Sequence, residues 1–223
     1  MRLLLHAVTT SEAAPVSETG LRGQSLIVVR HAEMAAYASR IDTPVENFGR
    51  ADLLAHHAIV SGLSAQVDVL PARFPTWLAD EQALRGQLDR RQADFGVALE
   101  RVRGRVEIAV TALWADEIED LRPPEAPTPG RKYLLGRQQV FTGTDKRRMR
   151  SRQLADELER LVGDDLVEVR HQVCPSATVA LSSAVLVPRA SAENVKTRLA
   201  RAARDVRILI NGPWPPYTFA DVV

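Results

Sequence analysis

The chain has 223 residues, of which 45% are hydrophobic, and its formal net charge at pH 7 is only +1. That length and hydrophobic content predict a soluble globular protein with one large or two small domains. No apolar run approaches the roughly 18 residues that a membrane-spanning helix needs, and the opening apolar stretch is too short for a signal peptide, so we expect a cytoplasmic protein. The only cysteine, Cys174, excludes an internal disulfide and argues against a cysteine-based metal site.

Strand and helix patterns alternate through the first hundred residues. Short apolar runs predict three strands, at Leu3–Val8, at Leu26–Val29, and at Val67–Leu70, where Pro71 would end the strand. A helix between the second and third strands has Asp52 near its start, and its apolar face carries Leu53, His57, Val60 and Ser64. Apolar residues then recur from Trp77 to Val102, which predicts one long amphipathic helix capped by Thr76.

A second pattern begins at Arg105, where apolar residues alternate with others as in a half-buried strand. Four prolines between Leu121 and Gly130 mark a loop or linker. The remaining predicted elements are a helix at Arg131–Val162 interrupted near Thr142–Thr144, a helix capped by Ser191, and strands at Val167–Val173, Val179–Val187 and Val206–Ile210. The resulting order, β-α-β-β-α-β, is that of the ferredoxin-like arrangement, with an insertion at about residues 115–145.

The segment Asn211–Phe219 contains three prolines and three large aromatic residues. Because proline fixes φ and lacks a backbone donor, we expect the last strand to stop before this segment. We then expect the aromatic side chains of Trp214, Tyr217 and Phe219 to dock on another surface. An intramolecular contact that holds the two domains together is favoured over binding to another protein. Trp214→Ala should therefore lower the free energy of unfolding by about 3 kcal/mol or more, as loss of a buried aromatic does.

Four segments resemble the gas vesicle accessory family GvpF/GvpL, in the order that the family has. They are Asp52–His57, Val69–Thr76, Gly130–Leu134 and Gly212–Phe219. The last segment is the most specific, because its rigid proline-aromatic pattern would rarely arise by chance. One departure is Pro75, where family members usually have glycine, since proline forbids the positive φ that glycine permits.

The resemblance implies an α+β protein of two domains, the second a modified ferredoxin-like βαββαβ fold with a helical or loop insertion and a proline-aromatic C-terminal tail. We place the domains at residues 1–102 and 103–223, with the tail at 211–223. The resemblance further implies a non-enzymatic accessory protein that needs no cofactor, binds the small hydrophobic wall protein of gas vesicles and other accessory proteins, and supports gas vesicle assembly. The structural or partner-binding candidates are Arg73, Phe74, Tyr133, Trp214, Pro215, Pro216, Tyr217 and Phe219.

One alternative function rests on Arg30-His31-Ala32-Glu33, which follows a predicted strand. This motif resembles the opening of histidine phosphatases, in which the histidine accepts the phosphoryl group and the arginine holds its oxygens. Those enzymes normally have glycine where Ala32 stands, and their motif begins the sheet. A phosphomonoesterase using Arg30 and His31 is therefore the alternative to the assembly function.

The other polar motifs favour structural roles. His56 and His57 are adjacent and point about 100° apart on a helix, so they cannot bind one metal in the i, i+4 manner. His171 and Cys174 would need further ligands that no spacing supplies. The basic run Lys146–Arg150 is followed by acidic residues, as on a solvated helix face. The predicted strands of the ferredoxin-like sheet lack the aromatics of an RNA-recognition module, which argues against nucleic-acid binding.

Overall fold

The computed structural model describes residues 2–10, 19–41, 47–114, 129–174, 176–202 and 206–221, with the backbone alone for residues 129–144. The chain divides into two compact units. The first contains the residues up to Glu107 together with the segment from Trp214 onward, and the second contains Ile108–Pro213. The protein is α+β, as predicted, with one four-stranded sheet in each unit.

The sheet of the first unit has the order β2-β3-β1-β4. Its strands are β1 (Arg2–Thr10), β2 (Leu26–His31), β3 (Met34–Ile41) and β4 (Val69–Leu78). Strand β3, which pairs antiparallel with both β1 and β2, was not predicted. Its sequence is rich in alanine and nearly every residue is buried, so it lacks the alternation of apolar and polar residues that marks a half-buried strand.

Strand β4 runs through both Pro71 and Pro75, so the prediction that the strand ends at Pro71 is wrong. The position of β4 at the edge of the sheet explains how two prolines are tolerated, since an edge strand has one side on which a backbone donor is not needed. The continuation of β4 to Leu78 also places Trp77 in a strand and not in a helix.

The described part of the first unit has three α-helices, α1 (Arg50–Ser64), α2 (Glu81–Arg90) and α3 (Gln92–Val102), and two short 3-10 helices at Leu21–Gly23 and Tyr217–Phe219. The prediction of one helix from Trp77 to Val102 is wrong, because α2 begins after Asp80 and Arg91 breaks the run with φ of −116°. Asp80, not Thr76, caps α2, and its carboxylate accepts a hydrogen bond of 2.7 Å from the backbone N–H of Ala83. The predicted core residues of this region are buried nonetheless: Leu84, Leu88, Phe95, Leu99 and Val102.

The second unit has the predicted element order. It contains β5 (Arg105–Trp114), α4 (Pro129–Val162), β6 (Glu168–Val173), β7 (Val179–Pro188), α5 (Ala192–Leu199) and β8 (Val206–Trp214), and its sheet has the order β6-β7-β5-β8. Helix α4 is continuous through Thr142–Thr144, where an interruption was predicted. The other part of the predicted insertion, residues 115–128, lies outside the described residues.

Strand β8 continues through Asn211 to Trp214, so the prediction that the proline-rich segment cannot extend the sheet is wrong. β8 is an edge strand, as β4 is, and Pro213 occupies its end. Among the described residues, no helix is both long enough and apolar enough to cross a membrane.

Candidate functional site

Ring side chains form a continuous series in the first unit, from β4 to the segment that follows β8. Phe48 packs edge-on against Phe74, with ring centroids 4.8 Å apart, and lies 5.7 Å from Trp77. His56 lies 5.0 Å from Phe74 and 6.5 Å from Tyr217. We call the series the aromatic array, and its members are Phe48, His56, His57, Phe74, Trp77, Trp214 and Tyr217.

A bulge in β4 brings Phe74 into the array. Between the pairs Leu5–Thr76 and Ala7–Pro71, residues 72–75 of β4 stand opposite the single residue His6 of β1. The Thr76 hydroxyl closes the bulge by donating a hydrogen bond of 2.6 Å to the carbonyl of Arg73. The extra residues let the chain leave the plane of the sheet, so Phe74 reaches α1 while Arg73 stays exposed.

The start of α1 is fixed by a buried carboxylate. Asp52 accepts a hydrogen bond of 2.9 Å from the backbone N–H of Gly49, the N-cap residue, and two of 2.6 Å from the guanidinium of Arg22. These bonds, first of all that from Arg22, lower the pKa of Asp52 to about 2. The predicted role of Asp52 near the helix start agrees with this geometry, and the fixed N-terminus sets which side chains α1 directs inward.

A buried histidine pair lies beneath the array. The Nδ1 atoms of His6 and His56 are 2.9 Å apart, and His6 Nε2 is 2.7 Å from the hydroxyl of Ser39. Because one Nδ1 must carry a hydrogen while the other offers a lone pair, the two imidazoles cannot both be protonated in this arrangement. Burial lowers the pKa of His6 to about 3, with a contribution from His56, and burial lowers the pKa of His56 to about 4.

The segment after β8, Pro215–Ala220, packs onto the first unit through polar and aromatic contacts. The buried carboxylate of Glu107 accepts hydrogen bonds from the backbone N–H and the hydroxyl of Thr218, at 2.7 and 2.8 Å. The Arg101 guanidinium donates to the carbonyl of Phe219, whose ring is fully buried. Tyr217 lies with its hydroxyl 3.2 Å from Nδ1 of His57. We call Pro215–Ala220 the docked segment.

Sequence comparison supplies the family of this chain. Residues 3–221 match the family described as "Gas vesicle synthesis protein GvpL/GvpF". The chain belongs to the GvpL/GvpF family. It is 28% identical to "Gas vesicle protein L" of Streptomyces sp. (strain CB03234), over 93% of this chain and 88% of that protein. It is 26% identical to "Gas vesicle protein L1" of Halobacterium salinarum, over 95% of this chain and 86% of that protein.

Solved structures agree with this assignment at the level of the fold. The chain resembles the crystal structure of the gas vesicle protein GvpF from Anabaena sp. PCC7120 with a TM-score of 0.80, at 19% identity, over 98% of this chain and 95% of that one. It resembles GvpF from Microcystis aeruginosa with a TM-score of 0.76, at 16% identity, over 98% of both chains. The α+β fold of this GvpL/GvpF member is therefore that of the solved GvpF proteins.

The predicted structural or partner-binding residues of this GvpL/GvpF member lie in different environments. Phe74, Trp214 and Tyr217 meet in the aromatic array through His56 and His57. Phe219, Pro215 and Pro216 are buried, Arg73 is exposed, and Trp214 is 37% exposed. Tyr133 lies on α4, where its side chain is outside the described residues. The predicted loss of about 3 kcal/mol of unfolding free energy in Trp214→Ala assumed a buried ring. That assumption is wrong, because Trp214 is 37% exposed.

Sequence reasoning missed several residues that build this site in the GvpL/GvpF member. Phe48 and Glu107 carry no motif, and Trp77 was assigned to a helix. The sequence prediction also placed the wrong histidine on the apolar face of α1. His56 lies in the core, whereas His57 is half-buried against the docked segment. The buried residues of α1 are Asp52, His56, Val60, Leu63 and Ser64. The predicted face is therefore right at Val60 and Ser64, and it is displaced by one residue at Leu53 and His57.

The histidine phosphatase alternative lacks support from the geometry. His31 ends β2 and pairs with Met34 across a tight turn to β3, so no helix follows the motif. Its Nε2 atom lies 3.3 Å from the carboxylate of Asp89, which would repel a phosphate group. The motif lies where β2 turns into β3, at the end of a hairpin.

The second unit contains one arrangement that resembles a catalytic triad. His171 Nδ1 lies 2.7 Å from the hydroxyl of Ser183, and His171 Nε2 lies 3.0 Å from a carboxylate oxygen of Glu159. Ser183 and His171 are directly paired across β6 and β7, and Ser183 is only 4% exposed. A nucleophile must reach its substrate, so these bonds join α4 to its sheet rather than activate a serine. The described residues contain no group of three or more side chains that could hold a metal ion.

Proposed function

We propose that this protein supports gas vesicle assembly by binding the small hydrophobic wall protein and keeping it soluble until it is incorporated. Membership of the GvpL/GvpF family supports a gas vesicle accessory role. The observation that carries the binding part of the proposal is a set of exposed apolar side chains on the first unit. Leu53 is 50% exposed, Leu54 is 54% exposed, and Trp214 is 37% exposed.

The outward face of α1 brings these side chains near one another. The buried residues of α1 fix its inward face, so Leu54 points away from the core. Leu53 lies one helical turn before His57, and the indole of Trp214 packs edge-on against the His57 ring with centroids 6.0 Å apart. Leu53, Leu54 and Trp214 therefore form what we call the α1 surface, with His57 as the side chain between the helix and the indole.

The chemistry of the α1 surface fits an apolar protein partner. A wall protein exposes apolar area before it assembles, and such area aggregates unless another surface covers it. Aliphatic and indole side chains gain about 25 cal/mol for each Å² of apolar area that binding removes from water. Arg50 is exposed one helical turn before Leu53 and Leu54, and it can orient the partner at the rim of this surface. The proposal has the protein act in the cytoplasm and at the growing gas vesicle.

Co-expression with the cognate wall protein tests the proposal. The measurements are retention of the wall protein in a pull-down and the fraction of wall protein that stays soluble. We expect the wild-type chain to retain the wall protein, and Leu53→Ser/Leu54→Ser to reduce retention severalfold. Val97→Ser is the matched control, because Val97 is 73% exposed but lies on α3.

Two results would count against the proposal. Failure of the wild-type chain to retain or solubilise the wall protein would remove the binding function altogether. Equal loss of retention in the α1 double variant and in Val97→Ser would remove the α1 surface as its site. Circular dichroism of each variant shows that a lost interaction does not reflect a lost fold.

A further inference from the structure

Strand β8 is an edge strand of the second sheet with few of the features that keep sheet edges from pairing. Among the strands that the structure describes, β8 has a neighbour on one side only, which is β5. The backbone donors and acceptors on its other side can therefore pair with a strand of another chain. Between Val206 and Ile210 the strand contains one charge, Arg207, and Pro213 lies near its end.

The other three edge strands of the described sheets are protected against pairing. β4 contains two prolines and a bulge. β2 lies against α2, and the Arg85 guanidinium donates a hydrogen bond of 2.6 Å to the backbone carbonyl of Arg30. β6 contains Glu168 and Arg170, which form an ion pair of 3.4 Å. Prolines, bulges, charges and covering elements prevent edge pairing, so the apolar run of β8 sets this edge apart.

The side chains of β8 are also incompletely covered. Ile208 and Ile210 share a face with the buried Val206, yet they are only half-buried. Ile108, in the neighbouring strand β5, is fully buried. Leu209, which points to the opposite face of β8, is 36% exposed. A further strand paired with β8 would remove this apolar area from water on both faces of the sheet.

The sequence of β8 is self-complementary. Residues 207–211 are polar, isoleucine, leucine, isoleucine and polar, a pattern that is the same in both directions. A two-fold antiparallel pairing presents a strand to its own reverse, so such a pattern matches a second copy of itself. With the axis at Leu209, the two Leu209 side chains meet and Ile208 faces Ile210 of the second copy. Arg207 then faces Asn211, an uncharged side chain with an acceptor oxygen.

Other antiparallel registers of β8 on itself fit less well. An axis at Ile208 would place Arg207 opposite Leu209, and the cation would lie against an apolar side chain. An axis at Ile210 would place Pro213, which lacks a backbone donor, opposite Arg207. The axis at Leu209 avoids both mismatches.

We propose that two copies of this protein associate through β8, by antiparallel pairing about Leu209. The pairing joins the four-stranded sheets of the two second units into one sheet of eight strands. Because it covers only residues 207–211 of each copy, the buried area is small. We therefore expect a reversible dimer with a dissociation constant of about 10–100 μM.

Sedimentation equilibrium of the full chain, without the wall protein, measures this association. We expect the average mass to rise from that of a monomer toward that of a dimer between about 1 and 300 μM. Leu209→Lys should weaken the dimer at least about tenfold, because it places two like charges opposite each other at the axis. Val167→Lys is the matched control. It adds the same charge at a side chain that is 39% exposed and directly precedes the other edge strand, β6, so affinity should change less than about twofold.

Disulfide formation between the copies tests the register. In a Cys174→Ser background, Leu209→Cys should cross-link under mild oxidation, because directly opposite residues have Cα atoms about 4.5–5.5 Å apart. Arg207→Cys is the matched control. Its two copies would lie four residues apart along the ladder, or about 13 Å, which a disulfide cannot span.

Four results would overturn the proposal. A wild-type chain that stays monomeric up to about 300 μM does not pair through β8. A dimer that Leu209→Lys weakens no more than Val167→Lys does would lie on another surface. Equal cross-linking of Leu209→Cys and Arg207→Cys would exclude the register. A monomeric chain whose Leu209→Lys variant loses the wall protein would assign this edge to the wall protein.

The dimer proposal and the assembly proposal fail separately. Sedimentation is measured without the wall protein, and retention of the wall protein is tested with variants of α1. Circular dichroism of the β8 variants shows that a lost dimer does not reflect a lost fold.

Discussion

Removal of the Phe219 ring should destabilise the first unit more than removal of the Trp214 ring. Phe219 is fully buried, and a phenylalanine of this kind removes about 150–200 Å² of surface from water, worth about 4–5 kcal/mol at 25 cal/mol per Å². Truncation in a closed core also leaves a cavity, so we expect Phe219→Ala to cost about 4 kcal/mol. Trp214 is 37% exposed, and water can fill the space that its loss leaves, so we expect Trp214→Ala to cost about 2 kcal/mol.

Urea denaturation followed by tryptophan fluorescence measures these costs. The chain has three tryptophans, and Trp77 and Trp214 belong to the first unit whereas Trp114 belongs to the second. A Trp114→Phe background therefore restricts the signal to the first unit, and in the Trp214→Ala variant Trp77 reports alone. A Phe219→Ala cost below about 1 kcal/mol, or a Trp214→Ala cost as large as that of Phe219→Ala, would refute the packing of the docked segment.

Three further perturbations test the contacts of the first unit. The free energy of unfolding should be highest above pH 6.5 and should fall as the pH drops toward 4. The reason is that the unfolded chain protonates His6 and His56 at a higher pH than the folded protein does. Each imidazole should contribute a slope of about 1.4 kcal/mol per pH unit. Asp52→Ala should lower the free energy of unfolding by about 1–2 kcal/mol, measured by urea denaturation, because the Gly49 N–H and the Arg22 guanidinium lose their acceptor. Glu107→Ala should cost about 2 kcal/mol, because the backbone N–H of Thr218 loses its acceptor, and native-state proteolysis should then cleave the docked segment faster.

Each of these perturbations has its own control. His6→Leu/His56→Leu should flatten the pH dependence even if it lowers stability, and an unchanged slope would contradict the histidine assignment. Asp94→Ala, in the first turn of α3 and exposed, should cost far less than Asp52→Ala. Glu107→Gln retains one acceptor oxygen and should lose less stability than Glu107→Ala. An equal loss in the two Glu107 variants would contradict the hydrogen-bond explanation.

Periodicity predicted the second unit well because its apolar residues follow the periods of strands and helices. Val195 and Leu199 are buried on α5 as predicted, although the Ser191 hydroxyl does not cap this helix and instead bonds to Asp165. Strands β6 and β7 also begin and end within a residue or two of their predicted limits. These elements are local, so the residues that determine them are adjacent in sequence.

The strand predictions fail where the structure depends on whether a strand lies at the edge or in the middle of its sheet. Pro71 and Pro213 lie within strands because β4 and β8 are edge strands, and edge position cannot be read from a local pattern. Strand β3 was missed because alanines bury little area and show no period.

Prediction of the candidate site failed for a related reason. The motifs named Phe74, Trp214 and Tyr217 separately, but their meeting depends on a bulge opposite His6 and on hydrogen bonds that Thr218 donates to Glu107. Such pairings join residues far apart in the sequence, so no window of neighbouring residues contains them.

The docked segment has a consequence for biosynthesis. The first unit draws its fully buried Phe219 ring, and its Glu107–Thr218 hydrogen bonds, from a segment that the ribosome makes more than a hundred residues after Glu107. While the second unit emerges, the nascent first unit exposes the cavity that Phe219 later fills. A chaperone that binds apolar surface can reach this site until the docked segment has left the ribosome and packed onto the first unit.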